Sequence, residues 1–150
     1  MARFVWRLQR VLDIREKEEQ VLRSELMTLS ERMVVLRQEI MVIRARIHTA
    51  LEELSYKEPS ERLSWQQLFM KYSEYSEIEI DSLRSELSNV DKQRKDKMNE
   101  IIEKRQLIKA LEKLRVKAKE EFLAESAHKE QNELDEYTSN KFGRRAAVSV

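Results

Sequence analysis

The chain has 150 residues, of which 38% are charged and 41% hydrophobic, with one glycine, one proline and no cysteine. So few turn-forming residues exclude most sheets and barrels, because those folds reverse the chain repeatedly. The lack of cysteine excludes disulfides and thiolate metal sites. A formal net charge of +1 gives no overall argument for binding nucleic acid or membranes. The composition therefore predicts long helices, most simply a coiled coil.

The first ten residues, MARFVWRLQR, have an arginine every few positions and no continuous apolar stretch. We therefore expect neither a signal peptide nor a membrane span. A chain without cysteine is indifferent to redox compartment, so a cytoplasmic location is the simplest expectation.

Apolar residues recur at alternating steps of four and three between Leu8 and Leu54. This spacing places them on one edge of a helix, which we call its seam. Twelve of the fourteen seam positions are apolar. It predicts helix one over about residues 3–55, packed against a partner helix. The seam positions are Leu8, Leu12, Arg15, Glu19, Leu22, Leu26, Leu29, Met33, Leu36, Ile40, Ile43, Ile47, Ala50 and Leu54.

The only proline, Pro59, interrupts this pattern and disfavours helical geometry at Glu58. We expect a bend over about residues 56–63 and a second helix over about 64–138. Its seam is weaker, with ten of sixteen positions apolar. The positions are Phe69, Ser73, Ser76, Ile80, Leu83, Leu87, Val90, Arg94, Lys97, Ile101, Lys104, Ile108, Leu111, Arg115, Ala118 and Phe122. Gly143 suits a helix C-terminus, and we expect a frayed tail over 139–150.

Two seams joined by a short bend predict an all-α fold: one domain, 1–150, forming a long two-helix antiparallel coiled-coil hairpin with unequal arms. Placing Pro59 at the turn puts Arg3 beside Arg115, and the chain after about Val116 then overhangs as a single helix. Such a hairpin has little core and no concave pocket for catalysis. We therefore expect a protein that is not an enzyme.

Neither histidine has the surroundings of a metal site. Glu125 and His128 match the Glu-x-x-His spacing of di-iron bundles, but those need two such pairs and two further glutamates. His48 has no acidic residue three or four positions before it. A solvated helix surface is the favoured interpretation of both histidines. With no glycine-rich phosphate loop either, we expect no cofactor and no metal.

Charge is segregated along helix two. Residues 92–119 contain eleven basic and four acidic residues, a net +7, whereas residues 120–136 contain seven acidic and one basic, a net −6. One interpretation is a solvated helix surface. The other is a basic surface that meets an acidic partner. Nucleic acid is the weaker candidate, because aromatic residues that could stack on bases are missing here.

A second feature is a set of apolar residues outside the seam, near the bend. They are Val34, Met41 and Ala45 on helix one and Leu68, Tyr72 and Tyr75 on helix two. One interpretation is that the seam shifts locally and buries Tyr72 inside the hairpin. The other is that the six residues form a docking surface for another protein.

Three segments resemble a known family. They are the opening Phe4-Val-Trp-Arg-Leu-Gln-Arg-Val-Leu-Asp-Ile-Arg-Glu-Lys-Glu, the run Trp65-Gln-Gln-Leu-Phe69, and the late Glu133-Leu-Asp-Glu136 followed by basic residues. Together with the length and the two-helix plan, they resemble the FliJ-type coiled-coil component of the bacterial flagellar protein-export apparatus.

The resemblance implies a stalk-like adaptor at the cytoplasmic face of the inner membrane. It would promote assembly of the hexameric export ATPase, couple it to the membrane export gate, and also meet export chaperones. The implied chain is a monomer without a membrane span or nucleic-acid partner. The six apolar residues near the bend would meet the gate. The cations implied to meet the ATPase are Arg94, Lys97, Lys104, Arg105 and Lys109.

Three alternatives remain open from sequence. The first is the corresponding stalk of a virulence-type injectisome, and the second is an escort chaperone that binds other secretion chaperones or subunits. The third is a scaffold coiled coil that dimerises through its apolar stripes. Binding to an export ATPase, to a cargo chaperone or to a second copy would separate them.

Overall fold

The computed structural model of the protein describes residues 2–148, with the backbone alone at Val148. Two helices, α1 (Gln9–Ser55) and α2 (Arg62–Val148), account for 91% of the described chain, and this part contains no strand. The prediction of an all-α helical hairpin is confirmed.

Both predicted seams lie where the two helices pack together. Every seam position from Leu8 to Leu54 and from Phe69 to Phe122 is buried or half-buried, whereas most residues between them are exposed. The four-three spacing produces this result because it keeps one edge of each helix facing its partner. Polar seam residues follow the same rule, and Ser76 and Glu19 are among the least exposed side chains.

The backbone contacts divide the chain into two compact units. Unit 1 contains Met1–Glu19 and Glu103–Val150, and unit 2 contains Gln20–Ile102. Each unit contains a segment of both helices, and each is described by itself below.

Unit 2 is held by aliphatic side chains in two clusters that share flanking leucines. One cluster is built on Met33, Leu36 and Val90, and the other on Ile40, Ile43 and Ile80. Leu36 is fully buried. Burying a large aliphatic side chain contributes about 1.5–3 kcal/mol, so these clusters dominate the stability of unit 2.

The bend of unit 2 is shorter than expected and covers residues 56–61. The carbonyl of Glu58 accepts hydrogen bonds from the amides of Glu61 and Arg62, both at 3.0 Å. Pro59 therefore occupies the first turn, where its missing N–H would have had no helical partner. For this reason α2 begins at Arg62, two residues before the predicted start at residue 64.

In unit 1 the chain before α1 is not helical. Residues 2–6 have no regular secondary structure, and a turn at residues 7–8 follows, closed by a hydrogen bond of 3.1 Å from the Gln9 amide to the Trp6 carbonyl. Phe4 and Trp6 are half-buried, whereas Val5 between them is exposed. This is why α1 begins at Gln9 rather than at Arg3.

The start of the chain contacts α2 over a longer stretch than the expected pairing gives. The rings of Phe4 and Phe122 lie 5.4 Å apart, and Arg115 Nε donates a hydrogen bond of 2.8 Å to Gln9 Oε1. The Arg115 guanidinium also lies 5.9 Å from the centre of the Phe4 ring, so Arg115 contacts both Gln9 and the residue next to Arg3. The contact at Phe122 means that the unpaired part of α2 begins later than Val116.

The end of α2 differs most from expectation. The helix continues to Val148, past the predicted end near residue 138, and the side chains of residues 127–147 are all exposed. Gly143 lies within the helix without the positive φ of a helix-ending glycine. A helical glycine costs about 1 kcal/mol relative to alanine, and nearby Ala146 and Ala147 are strong helix formers. Of the expected frayed tail, residues 149–150 lie outside the described residues.

Candidate functional site

Unit 2 carries an apolar groove beside the bend. It has a volume of about 260 Å³ and is open to solvent. The Lys57 ammonium lies 4.3 Å from the centre of the Trp65 ring, a cation–π contact that fixes one wall. The lining residues are Ala50, Glu53, Leu54, Lys57, Trp65, Leu68, Phe69 and Tyr72.

A second groove of about 440 Å³ continues along the same edge of unit 2. Its walls are Val42, Ala45, Arg46, Thr49, Ala50, Glu53 and Tyr72. Tyr72 lines both grooves, and we call the pair the bend groove. The side chain of Tyr72 is 40% exposed, so the alternative that buries it inside the hairpin is not what the structure shows.

The structure separates the six apolar residues that the sequence grouped near the bend. Ala45 lies with Tyr72 in the bend groove, and Leu68 lines its first part. Val42, which also lines the groove, directly precedes the seam residue Ile43. Met41 instead directly follows a seam residue, Ile40.

Val34 and Met41 are seven residues apart and share one stripe of α1, about 100° around the helix from Val42. Neither residue lines the bend groove. Val34, Met41 and Tyr75 are all exposed. Tyr75 continues the α2 stripe of Leu68 and Tyr72, at three residues from Tyr72. Sequence reasoning missed the separation because it matched residues by level along the helices and not by edge.

Four of the five cations implied to meet an ATPase have partners inside the chain. In unit 1, Lys104 Nζ donates to Glu18 Oε2 at 2.6 Å and Arg105 Nε to Glu19 Oε1 at 2.9 Å. In unit 2, Lys97 pairs with Glu25 across the helices, and Arg94 with Asp91 one turn away. Lys109 has no ion-pair partner among residues 2–148.

These ion pairs shift pKa values in the direction of the charged forms. Hydrogen bonds from Lys104 and then Arg15 lower the pKa of the Glu18 carboxyl. The hydrogen bond to Glu25 raises the pKa of Lys97. Two basic seam positions of α2, Lys97 and Lys104, thus meet acidic residues of α1, an arrangement visible in sequence only once both seams are placed side by side.

The arm of α2 in unit 1, residues 127–147, exposes apolar and acidic side chains together. Leu134, Tyr137 and Phe142 are each at least 60% exposed. Acidic residues predominate between 120 and 136, where the net charge is −6. The side chains of residues 127–147 are all exposed, so the arm does not stabilise the fold of unit 1 and its surface is open to solvent.

Residues 2–148 contain no group of three or more His, Asp or Glu side chains placed to hold a metal ion. His48 instead lies 3.5 Å from Glu52 on the helix surface. Within residues 2–148, no helix is long and apolar enough to cross a membrane.

Comparison with known proteins gives one family. The family model described as flagellar FliJ protein matches residues 4–147, nearly the whole chain. Proteins of this family are non-enzymatic components of flagellar protein export. No curated protein and no solved structure matches the chain.

Proposed function

The chain belongs to the FliJ family of flagellar proteins, and we propose that it is a stalk-like adaptor that binds the export ATPase and the membrane export gate. In this role it promotes assembly of the ATPase hexamer and couples it to export, at the cytoplasmic face of the inner membrane. Family membership favours the flagellar apparatus over a virulence injectisome. The observation that carries the proposal is that units 1 and 2 expose different binding surfaces.

The bend groove of unit 2 is the proposed contact for the gate. It combines two aromatic side chains, Trp65 and Tyr72, with aliphatic walls and a charged rim of Lys57, Arg46 and Glu53. Aromatic anchors inside a polar rim are typical of the few residues that supply most binding energy at protein interfaces. We therefore expect an apolar side chain of the gate to enter beside Tyr72.

The test compares the two edges of unit 2. Leu68→Ala with Tyr72→Ala should weaken binding to the cytoplasmic part of the gate by at least about tenfold, as loss of hot-spot residues does. Val34→Ala with Met41→Ala is the matched control, since both residues are exposed and neither lines the bend groove. Calorimetry gives the affinities, and circular dichroism checks that helicity is retained. Equal losses in both variants would contradict the groove as the contact.

For the ATPase we propose the arm of unit 1, residues 127–147, together with Lys109. The arm is helical and fully exposed, and Lys109 lacks an intrachain partner in the described structure. Three of the paired cations, Lys97, Lys104 and Arg105, connect α2 to α1, whereas Arg94 pairs within α2. All four contribute to ATPase binding through the net positive charge of residues 92–119.

The test for the ATPase contact is a chain that stops after Ser126. Its paired helices should remain folded, because residues 127–147 contact no core. Stimulation of ATP hydrolysis and of ring assembly by the export ATPase should be lost, while gate binding stays. The full chain is the positive control. Undiminished stimulation by the shortened chain would overturn the assignment of the arm.

A further inference from the structure

The outward face of α2 in unit 1 carries a second heptad repeat, apart from the seam. Lys109, Val116, Leu123 and Glu130 recur at seven-residue intervals, and all four are exposed. Val116 and Leu123, two helical turns apart, are 56% and 55% exposed, so more than half of each aliphatic side chain faces solvent. A seven-residue repeat keeps its members on one stripe of the helix, which is the pattern of a helix-packing edge.

A shallow groove marks the same face. Its volume is about 300 Å³, and it is lined by Lys109, Glu112, Lys113 and Val116. These positions are i, i+3, i+4 and i+7, the four residues that form the hole for a knob in a coiled coil. None of the four has a partner across the helices in the described structure.

We propose that this face is an antiparallel interface with a second copy of the chain, centred between Lys119 and Glu120. In that register Val116 of one copy faces Leu123 of the other, and Lys109 faces Glu130. Symmetry repeats both contacts, giving two apolar pairs and two ion pairs. The stripe is self-complementary because its basic and acidic members lie at equal distances from its centre.

The remaining residues of the face fit the same register. Glu112 of one copy faces Ala127 of the second copy, and Lys113 faces Ser126. Because alanine and serine have small side chains, the helices can approach closely there. Leu123 can then enter the groove beside Val116. At the centre, Lys119 faces Glu120 of the second copy.

Charge also selects the antiparallel orientation. A parallel pair in register would set Lys109 against Lys109 and Glu130 against Glu130. Like charges in contact oppose association, whereas the antiparallel pair sets opposite charges together. A second copy fits this stripe because the chain itself supplies the complementary charge and apolar spacing. Lys109 and Glu130 also belong to the surface proposed for the ATPase, so the dimer and the ATPase complex compete for them.

The experiment is sedimentation velocity of the full chain at rising concentration and low salt. We expect a reversible, salt-sensitive dimer of the wild-type chain, in place of the monomer expected from sequence. Lys109→Glu and Glu130→Lys should each weaken it by at least about tenfold, because each sets like charges together twice. An equal mixture of the two variants should recover the dimer, since only mixed pairs then match opposite charges.

Two control variants change net charge equally but lie elsewhere. Lys71→Glu is an exposed residue of unit 2, and Glu125→Lys is exposed on the other side of α2 from Leu123. Both should dimerise as the wild type does, and circular dichroism should show unchanged helicity in every variant. A wild-type chain that stays monomeric at all concentrations would overturn the proposal. So would single variants that dimerise normally, or a mixture that recovers nothing. The chain alone is measured, so the result is independent of any ATPase or gate.

Discussion

Units 1 and 2 use the same helix-pairing geometry but different chemistry. In unit 2 the seam is filled by aliphatic clusters around Leu36 and Ile80. In the described part of unit 1, only Leu12 and Ile108 are buried aliphatic residues. The contacts across the chain there include the ion pair of Glu18 with Lys104, a hydrogen bond between Gln9 and Arg115, and the Phe4–Phe122 ring contact. Seam positions are shielded from water in both units.

Heptad spacing determines which residues of the two helices meet, while the residue type at each position determines how much the contact stabilises the unit. A buried aliphatic side chain contributes about 1.5–3 kcal/mol, whereas an exposed ion pair contributes about 0–1 kcal/mol. We therefore expect unit 2 to dominate the global stability and unit 1 to open first. Such local opening suits a segment that must adapt to a partner.

The largest expected effect is in unit 2. Leu36→Ala should lower the free energy of unfolding by about 2–5 kcal/mol, because the fully buried side chain leaves a cavity between the clusters. Urea unfolding followed by circular dichroism measures it. Val35→Ala, at an exposed neighbour, should change stability by less than about 0.5 kcal/mol. Similar losses in both variants would show that unit 2 is not held by its seam.

A smaller loss is expected in unit 1 from Phe122→Ala. Removing the ring that contacts Phe4 should cost about 1–2 kcal/mol, less than a core leucine because both rings are only half-buried. Each unit contains one tryptophan, so Trp6 fluorescence in a Trp65→Phe background reports unit 1 alone. Phe142→Ala is the matched control on the exposed arm. If Phe122→Ala destabilises unit 1 no more than Phe142→Ala does, the contact of Phe4 with Phe122 does not stabilise unit 1.

Glu19→Leu should stabilise unit 1 rather than weaken it. Glu19 is a seam residue only 9% exposed, and its charge must be compensated, in part by Arg105. Leucine relieves the desolvation of this mostly buried carboxylate, and Arg105 is 52% exposed and stays solvated without it, so we expect a gain of about 1 kcal/mol. Trp6 fluorescence during thermal unfolding measures the shift. Glu103→Leu, at an exposed position, should leave the midpoint unchanged, and a lower midpoint for Glu19→Leu would show that the ion pair itself holds the unit.

The smallest effect is a pH dependence in unit 1. Since the pKa of Glu18 is lowered in the folded chain, the folded state binds fewer protons than the unfolded state near the ordinary value of 4.5. Its stabilisation is complete above that value and is lost as the pH falls through the lowered pKa. Glu18→Gln should therefore be less stable than wild type at pH 7, with the gap closing in acid. Urea midpoints from Trp6 fluorescence between about pH 7 and 3 measure it. If the difference between the urea midpoints of wild type and Glu18→Gln widens in acid, folding does not lower the pKa of Glu18.

The fold was predictable from particular residues. Steps of four and three from Leu8 and from Phe69 identified every seam position, including Arg15 and Ser73, because helix periodicity is a local property of the chain. Pro59 located the bend for the same reason. The start of α1 was not predictable in this way, since the non-helical segment before it is held by the contact of Phe4 with Phe122, far away in the sequence.

The candidate sites were predictable only in part. Tyr72 and Leu68 were named as candidates for a docking surface beside the bend, with burial of Tyr72 left open, and only the structure showed that both line a groove that excludes Met41. Likewise the charge of Lys104 and Arg105 was visible, whereas their carboxylate partners lie 86 residues away in the sequence.

The sequence by itself determined the helices, their seams and the bend, because these depend on spacing within a few residues. Only the tertiary structure decided which edges of α1 and α2 meet within each unit, which cations are already paired, and which surfaces stay open. Those depend on register between distant segments, where a shift of one turn exchanges every contact while leaving the helical pattern intact.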